Sequence, residues 1–138
     1  TDARMTRFWI TLSQALEFVI RNFGRMRGGE IFVPRIPSAR VTDLAEALAP
    51  GLPVKLIGIR PGEKLHEIMC PSDDSHLTLE FADHYVIQPS IRFHGLDMDY
   101  RVNALGETGR AVDQGFEYSS GTNPHFLTVE ELRTLEAA

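Results

Sequence analysis

The sequence predicts an α/β fold, and three observations carry that prediction. Two amphipathic helical patterns, near residues 12–23 and 41–49, alternate with short apolar runs at 30–33, 54–59 and 85–87. Proline or glycine punctuates the junctions between them, at Gly28, Gly29, Pro34, Pro37, Pro50, Pro61, Gly62 and Pro89. At 138 residues, 43% of them hydrophobic, the chain is long enough to bury a core.

The elements follow in order. Residues 5–10 read as a short strand running into a helix, where Thr11 and Gln14 have the spacing of a capping box. Leu12, Leu16, Val19, Ile20 and Phe23 then recur at helical intervals and predict one apolar face. Glu17 and Arg21 lie on the other side, and Gly24 stands where a helix would terminate. After the Gly28–Gly29 turn, residues 30–33 read as a brief strand stopped by Pro34 and Pro37.

A second helix is predicted from Val41 to Ala49, capped by Thr42 or Asp43, with Leu44, Ala47 and Leu48 as its apolar stripe. The nearly continuous run Val54–Ile59 predicts a strand buried on both faces. Arg60-Pro61-Gly62-Glu63 breaks it, and a short helix is expected over Leu65–Met69. Tyr85–Ile87 reads as a further strand. Residues 94–125 are rich in Gly, Asp, Ser and Asn and read as loop, ordered by packing on a partner. Thr128 and Glu131 repeat the capping-box spacing and open a terminal helix through Leu132 and Leu135.

Composition excludes several classes of function. A net charge of −5 and scattered basic residues argue against a nucleic-acid surface, which needs clustered Lys and Arg. No apolar stretch approaches the ~20 residues that span a bilayer. Cys70 is the single cysteine, so no internal disulfide forms, in keeping with a reducing cytoplasm. The chain opens Thr1-Asp2-Ala3-Arg4 and reads as the interior of a longer protein.

Three clusters could carry chemistry. Arg60 and Glu63, at the end of an apolar run and on a backbone stiffened by Pro61, place a guanidinium beside a carboxylate. The first suits a diphosphate and the second the vicinal hydroxyls of a ribose; the competing reading is a Pro-Gly turn with two solvated charges. Arg7, flanked by Met5, Thr6, Phe8 and Trp9, needs an anionic partner, either a ligand phosphate or an Asp or Glu of the fold. His66-Glu67-Ile68-Met69-Cys70 imitates a two-ligand helical zinc pattern, but no third ligand follows at a suitable distance, and a packed histidine is the favoured reading. No Gly-x-Gly-x-x-Gly cradle is present, Gly106 and Gly109 read as turn glycines, and none of Tyr85, Tyr100 and Tyr118 is followed by lysine four positions on. No catalytic residue and no metal site is assigned.

Six blocks carry a family resemblance: residues 1–10 (Thr-Asp-Ala-Arg-Met-Thr-Arg-Phe-Trp-Ile), 28–34, 58–67 (Gly-Ile-Arg-Pro-Gly-Glu-Lys-Leu-His-Glu), 74–81, 85–90 and 116–123. In that order they resemble the C-terminal portion of the inverting UDP-N-acetylglucosamine 4,6-dehydratases of pseudaminic acid biosynthesis, members of the extended short-chain dehydrogenase/reductases. The resemblance covers essentially the whole chain. It implies the small substrate-binding lobe of such an enzyme, lacking the Rossmann half, with 1–93 as α/β core, 94–125 loop-rich and 126–138 a terminal helix. It implies that NADP and the catalytic Tyr, Lys and Asp belong to the absent half, so that this chain alone binds no cofactor and is inactive. In the family the sugar is oxidised at C4, water is lost across C5 and C6, hydride returns to C6, and C5 is inverted.

By the same resemblance Arg60 grips the diphosphate of UDP-N-acetylglucosamine, Glu63 binds the ribose, Arg7 reaches the diphosphate, and Met5 and Thr6 lie by the uridine or sugar. The implied partners are the chain's own Rossmann domain and further copies in a homo-oligomer, a hexamer in the family; the implied location is cytoplasmic. If the Rossmann half covers part of this core, an apolar patch is expected here. Three alternatives stay open: a retaining 4,6-dehydratase, a non-catalytic UDP-sugar-binding module, and a purely structural or oligomerisation piece.

Overall fold

The computed structural model describes residues 2–91 and 98–136. In chain order its elements are β1 (Thr6–Phe8), α1 (Leu12–Arg25), β2 (Ile31–Pro34), β3 (Ser38–Arg40), α2 (Val41–Leu48), β4 (Ile68–Cys70), a 3-10 segment (Ser72–Leu77), β5 (Thr78–Glu80), β6 (His84–Ile87), β7 (Arg110–Ala111), β8 (Tyr118–Ser119) and α3 (Val129–Glu136). This is a mixed α/β chain, as the alternating patterns predict. It folds as two compact units interleaved in sequence. The first comprises Thr1–Thr11, Ile36–Ile68 and Ser119–Ala138; the second comprises Leu12–Arg35 and Met69–Tyr118.

In the first unit β1 and β3 pair antiparallel, with Arg7 opposite Ala39, and Phe126 bridges to Ser38 alongside β3. α2 packs on α3. Ala39, Leu127 and Leu132 form the buried centre, with Trp9, Leu44, Ala47 and Leu135 packed around them. The predicted capping box is present: Glu131 accepts from the Thr128 amide at 2.8 Å, and the Thr128 hydroxyl accepts from the Glu131 amide at 3.3 Å. α2 differs in detail. Its N-cap is Arg40, without a side-chain cap bond, rather than Thr42 or Asp43, and Leu48 is 59% exposed while Leu44 and Ala47 reach the core. β3 itself lies where Pro34 and Pro37 had suggested an interruption only.

Two expectations fail in this unit. Residues 54–59 form no strand, and Val54, Leu56, Ile57 and Ile59 are 60, 53, 56 and 45% exposed. Apolar, β-branched composition gives a segment strand preference, but a strand exists only where a neighbouring backbone pairs with it. The helix expected over Leu65–Met69 is also absent: bends lead into β4, and the Glu67 amide donates to the Ser120 hydroxyl at 2.9 Å instead of joining a helical ladder. With a strand beginning at Ile68, His66 and Cys70 no longer share a helix face, and the zinc pattern loses its geometric basis.

The second unit is built on a four-stranded antiparallel sheet of order β2-β6-β5-β7. β6 is central and all four of its side chains are buried. On one face Leu79, Phe81, Val86 and Tyr100 form the core with Phe32 and Met98. On the other, the Tyr85 ring meets Phe116 and Tyr118 at centroid separations of 5.1 and 5.0 Å. Tyr100, Asn103 and Tyr118 show that much of the expected 94–125 loop is ordered by burial within the chain; residues 92–97 lie outside the described residues. Gly28 and Gly29 turn with φ of +116° and +85°, where an L side chain would be strained.

α1 corrects the sequence reading. It runs through Gly24, where a stop was expected, to Arg25, and its predicted apolar face is present and turned outward. Leu12, Leu16, Val19, Ile20 and Phe23 are all more than half exposed. The side turned inward carries Ala15, Phe18, Asn22 and Arg25.

Arg25, only 3% exposed, is held by carboxylates from two directions. Its Nε donates to Glu107 at 2.7 Å and its Nη2 to both Asp83 oxygens at 3.0 Å, while Nη1 donates to Asn22 at 3.3 Å. Asp83 also accepts from Nδ1 of fully buried His84 at 2.7 Å. The imidazole stacks on Phe81 at 4.7 Å and is flanked by Phe32 and Phe18. Burial in this aromatic cage pushes His84 below its usual value, the Asp83 bond opposing it. Burial alone would raise Asp83, yet hydrogen bonds from His84 and Arg25 bring its carboxyl down to about 2. Charge satisfaction, not apolar periodicity, decides which side of α1 is inside.

Candidate functional site

Arg60-Pro61-Gly62-Glu63 folds as a tight turn. Proline second and glycine third is the pattern of a type II turn, and Gly62 has the required positive φ, +85°. The Glu63 amide donates to the Arg60 carbonyl at 3.0 Å, and the Arg60 amide donates back to the Glu63 carboxylate at 2.9 Å. The second bond folds the Glu63 carboxylate back over the start of the turn. Arg60 Nε lies 4.0 Å from Glu63 Oε1, with the arginine side chain 66% exposed and the glutamate 27%. An ion pair this exposed contributes at most about 1 kcal/mol, so an incoming anion displaces it at small cost. A fork of donors beside a carboxylate acceptor can grip an oxyanion and a pair of hydroxyls together.

Arg7, on β1, takes up the second possibility open to it. Nη1 donates to the carbonyls of Thr6 and Leu65 at 2.6 and 3.3 Å, and Nη2 to that of Lys64 at 3.0 Å. Its Nε faces Glu67 at 3.4 Å. The Thr6 amide adds a bond to the Leu65 carbonyl at 3.0 Å. Arg7 therefore ties the segment after the turn to β1, and it brings a positive charge, 31% exposed, to that segment. Met5 and Thr6, which the resemblance sets beside the uridine or sugar, are 1 and 5% exposed.

One feature of the site has no sequence signature. The Thr6 hydroxyl lies 2.7 Å from His66 Nδ1 and 2.8 Å from the Ser120 hydroxyl, which joins residues far apart in the chain. Sequence spacing cannot show such a meeting.

Elsewhere, pockets over Phe81, Ala82 and Thr108 are lined by charges that already satisfy one another, Arg35 and Arg110 with Glu80 and Arg25 with Asp83 and Glu107. Cys70 is fully buried, and burial, with Asp74 nearby, pushes its thiol up to about 12, far from a reactive thiolate. No three His, Cys, Asp or Glu side chains converge among the described residues. No helix among them is long and apolar enough to cross a membrane.

The model of the polysaccharide biosynthesis protein family matches residues 1–89, which include β1, the Arg60–Glu63 turn and the whole of β4 to β6. The chain belongs to that family. Within it, the chain is 61% identical over 132 residues to a UDP-N-acetylglucosamine 4,6-dehydratase (inverting) of Campylobacter jejuni subsp. jejuni serotype O:2, covering 96% of this chain and 40% of that protein. The protein of the same description from serotype O:23/36 is 58% identical, with the same coverage. Among solved structures, that of Pen from Bacillus thuringiensis superposes with a TM-score of 0.74 at 27% identity, over 99% of this chain and 40% of that one. The chain thus spans about 40% of the length of the curated relatives it matches.

Proposed function

We propose that this chain is the nucleotide-sugar-binding part of an inverting UDP-N-acetylglucosamine 4,6-dehydratase, with Arg60 gripping the diphosphate and Glu63 the ribose hydroxyls. The observation that carries the proposal is the preformed turn that holds an exposed guanidinium and a carboxylate side by side. The identity to the two Campylobacter dehydratases supports the choice of substrate. Arg7 adds positive potential beside the diphosphate while holding the 64–67 segment, and Met5 and Thr6 shape the floor.

In folds of this superfamily a nicotinamide dinucleotide sits on a glycine-rich turn from strand to helix. Here β1 reaches α1 through Trp9, Ile10 and Thr11, and β3 passes directly into α2, so neither junction offers that cradle. In our reading NADP and the redox and proton-transfer residues are supplied by a Rossmann domain of the parent protein. The exposed stripe of α1 and the 54–59 run support a covering layer. The parent then makes a UDP-4-keto-6-deoxy-N-acetylhexosamine in the cytoplasm for pseudaminic acid and surface glycan synthesis, and works as a homo-oligomer.

Calorimetric titration with UDP tests the binding role directly. The chain should give saturable heat, Arg60→Ala should weaken binding by about tenfold, and Glu63→Gln by a smaller factor, since one charge-assisted contact is lost in each case. Absence of heat at millimolar UDP would remove the binding role from this chain.

A further inference from the structure

We infer that His66 is a positioning residue: through Thr6 and Ser120 it locks the segment that follows the Arg60–Glu63 turn onto β1. The functional consequence rests on the nucleotide reading above; the lock itself rests on geometry. Thr6 is 5% exposed and Ser120 fully buried. Their hydroxyls stand 2.8 Å apart, and the Thr6 oxygen is 2.7 Å from His66 Nδ1. Ser120 Oγ accepts from the Glu67 amide at 2.9 Å and reaches the Thr6 carbonyl at 3.2 Å, and the Ser120 amide donates to the Glu67 carbonyl at 2.8 Å. Because Arg7 holds the carbonyls of Lys64 and Leu65, residues 64 to 67 are each tied down.

The upstream side of the turn is different. Residues 52–59 are irregular and exposed, so they cannot fix where Arg60 and Glu63 stand. The anchor must come from the downstream side, and His66 is its one side chain that reaches the buried hydroxyls. The ring has no slack: a Cβ on Gly121 would lie 2.6 Å from His66 Cγ and 2.7 Å from Nδ1.

The chain of hydroxyls also works in either direction. With a lone pair on Nδ1, Thr6 donates to His66 and Ser120 donates to Thr6. With a proton on Nδ1, Thr6 accepts it and donates to Ser120, which donates to the Thr6 carbonyl. The lock therefore holds in either tautomer. A histidine present only to fill space would need neither hydroxyl, whereas here both are satisfied through it. Holding a binding group in place before the ligand arrives removes an ordering cost that would otherwise weaken affinity.

Two readouts test this on the intact chain. Trypsin cuts after exposed Lys64 but not after Arg60, which precedes proline, so cleavage at Lys64 reports opening of the segment without any nucleotide. Replacing His66 with leucine, which keeps bulk but no polar atom, should speed that cleavage by about tenfold and weaken UDP binding by a similar factor. His66→Asn, whose amide can occupy the Nδ1 position, should restore both; His66→Gln should not. Trp9 fluorescence reports that the first unit remains folded, and Ser120→Ala gives the same opening should leucine prevent folding.

Leucine and wild-type chains behaving alike in both assays would overturn the inference, as would failure of asparagine to rescue. If wild type binds no UDP while leucine still speeds cleavage, the lock stands and the nucleotide reading falls.

Discussion

Replacing Asp83 with alanine should destabilise the second unit by about 3 kcal/mol, the usual order for a buried charge deprived of a partner. Arg25 is 3% exposed and takes two of its contacts from Asp83; with these gone, only Glu107 and Asn22 remain to satisfy it. His84 loses its Nδ1 partner in the same step while sealed among Phe18, Phe32 and Phe81. Urea unfolding followed by circular dichroism measures the loss, and a change below about 1 kcal/mol would show that water replaces the carboxylate easily.

The pH dependence should change in the same variant. Asp83 has its carboxyl lowered from 3.8 to about 2 in the fold, so its contribution is complete above the unfolded value and disappears as pH falls from about 4 towards 2. Glu107, held by Arg25 and Asn103, is lowered as well and acts in the same direction. His84 is kept neutral by burial, so it too stabilises above its ordinary value of 6.5 and loses that contribution as pH falls below it. Wild type should therefore soften first below neutrality and then again in acid. Asp83→Ala should lack most of the acid step.

Gly109→Ala should cost about 2–3 kcal/mol, as overpacking in a filled core does. A Cβ there would stand 2.5 Å from Phe81 Cε2 and 2.7 Å from Cδ2 and Cζ. Moving the ring, which is 3% exposed, would break its stacking on His84. Nor can the backbone retreat freely, because the Gly109 amide donates to the Arg101 carbonyl at 2.8 Å. Gly24→Ala gives the opposite sign: its Cβ meets only Leu105 at 3.7 Å, and within α1 alanine should add about 0.5–1 kcal/mol. Equal stability of Gly109→Ala and wild type in urea would mean that the ring yields after all.

Local signals in the sequence translated well where local chemistry decides the structure. Thr128 and Glu131 cap α3 as their spacing requires, and Pro61 and Gly62 form the turn that brings Arg60 and Glu63 together. The failures share one cause, which is that the partner of a segment is not written in the segment. Val54–Ile59 has strand composition but no strand, and Leu65–Met69, expected as a short helix, is drawn into tertiary bonds with Thr6 and Ser120. α1 shows the same limit from another side: periodicity identified its apolar stripe but said nothing of the inward side, where Arg25 meets Asp83 and Glu107. Of the site, the charged turn was legible and the histidine anchor was not, since Ser120 meets Thr6 only after the chain has folded.

The outward stripe of α1 has a practical consequence for anyone who studies this chain in solution. Phe23, Ile20 and Leu16 form a greasy strip on a fully native surface. Extrinsic fluorophores that brighten on contact with hydrocarbon would light up before any heating begins, and a melt read with them would start from a false plateau. Intrinsic emission from Trp9, partly buried in the other unit, is the cleaner thermometer.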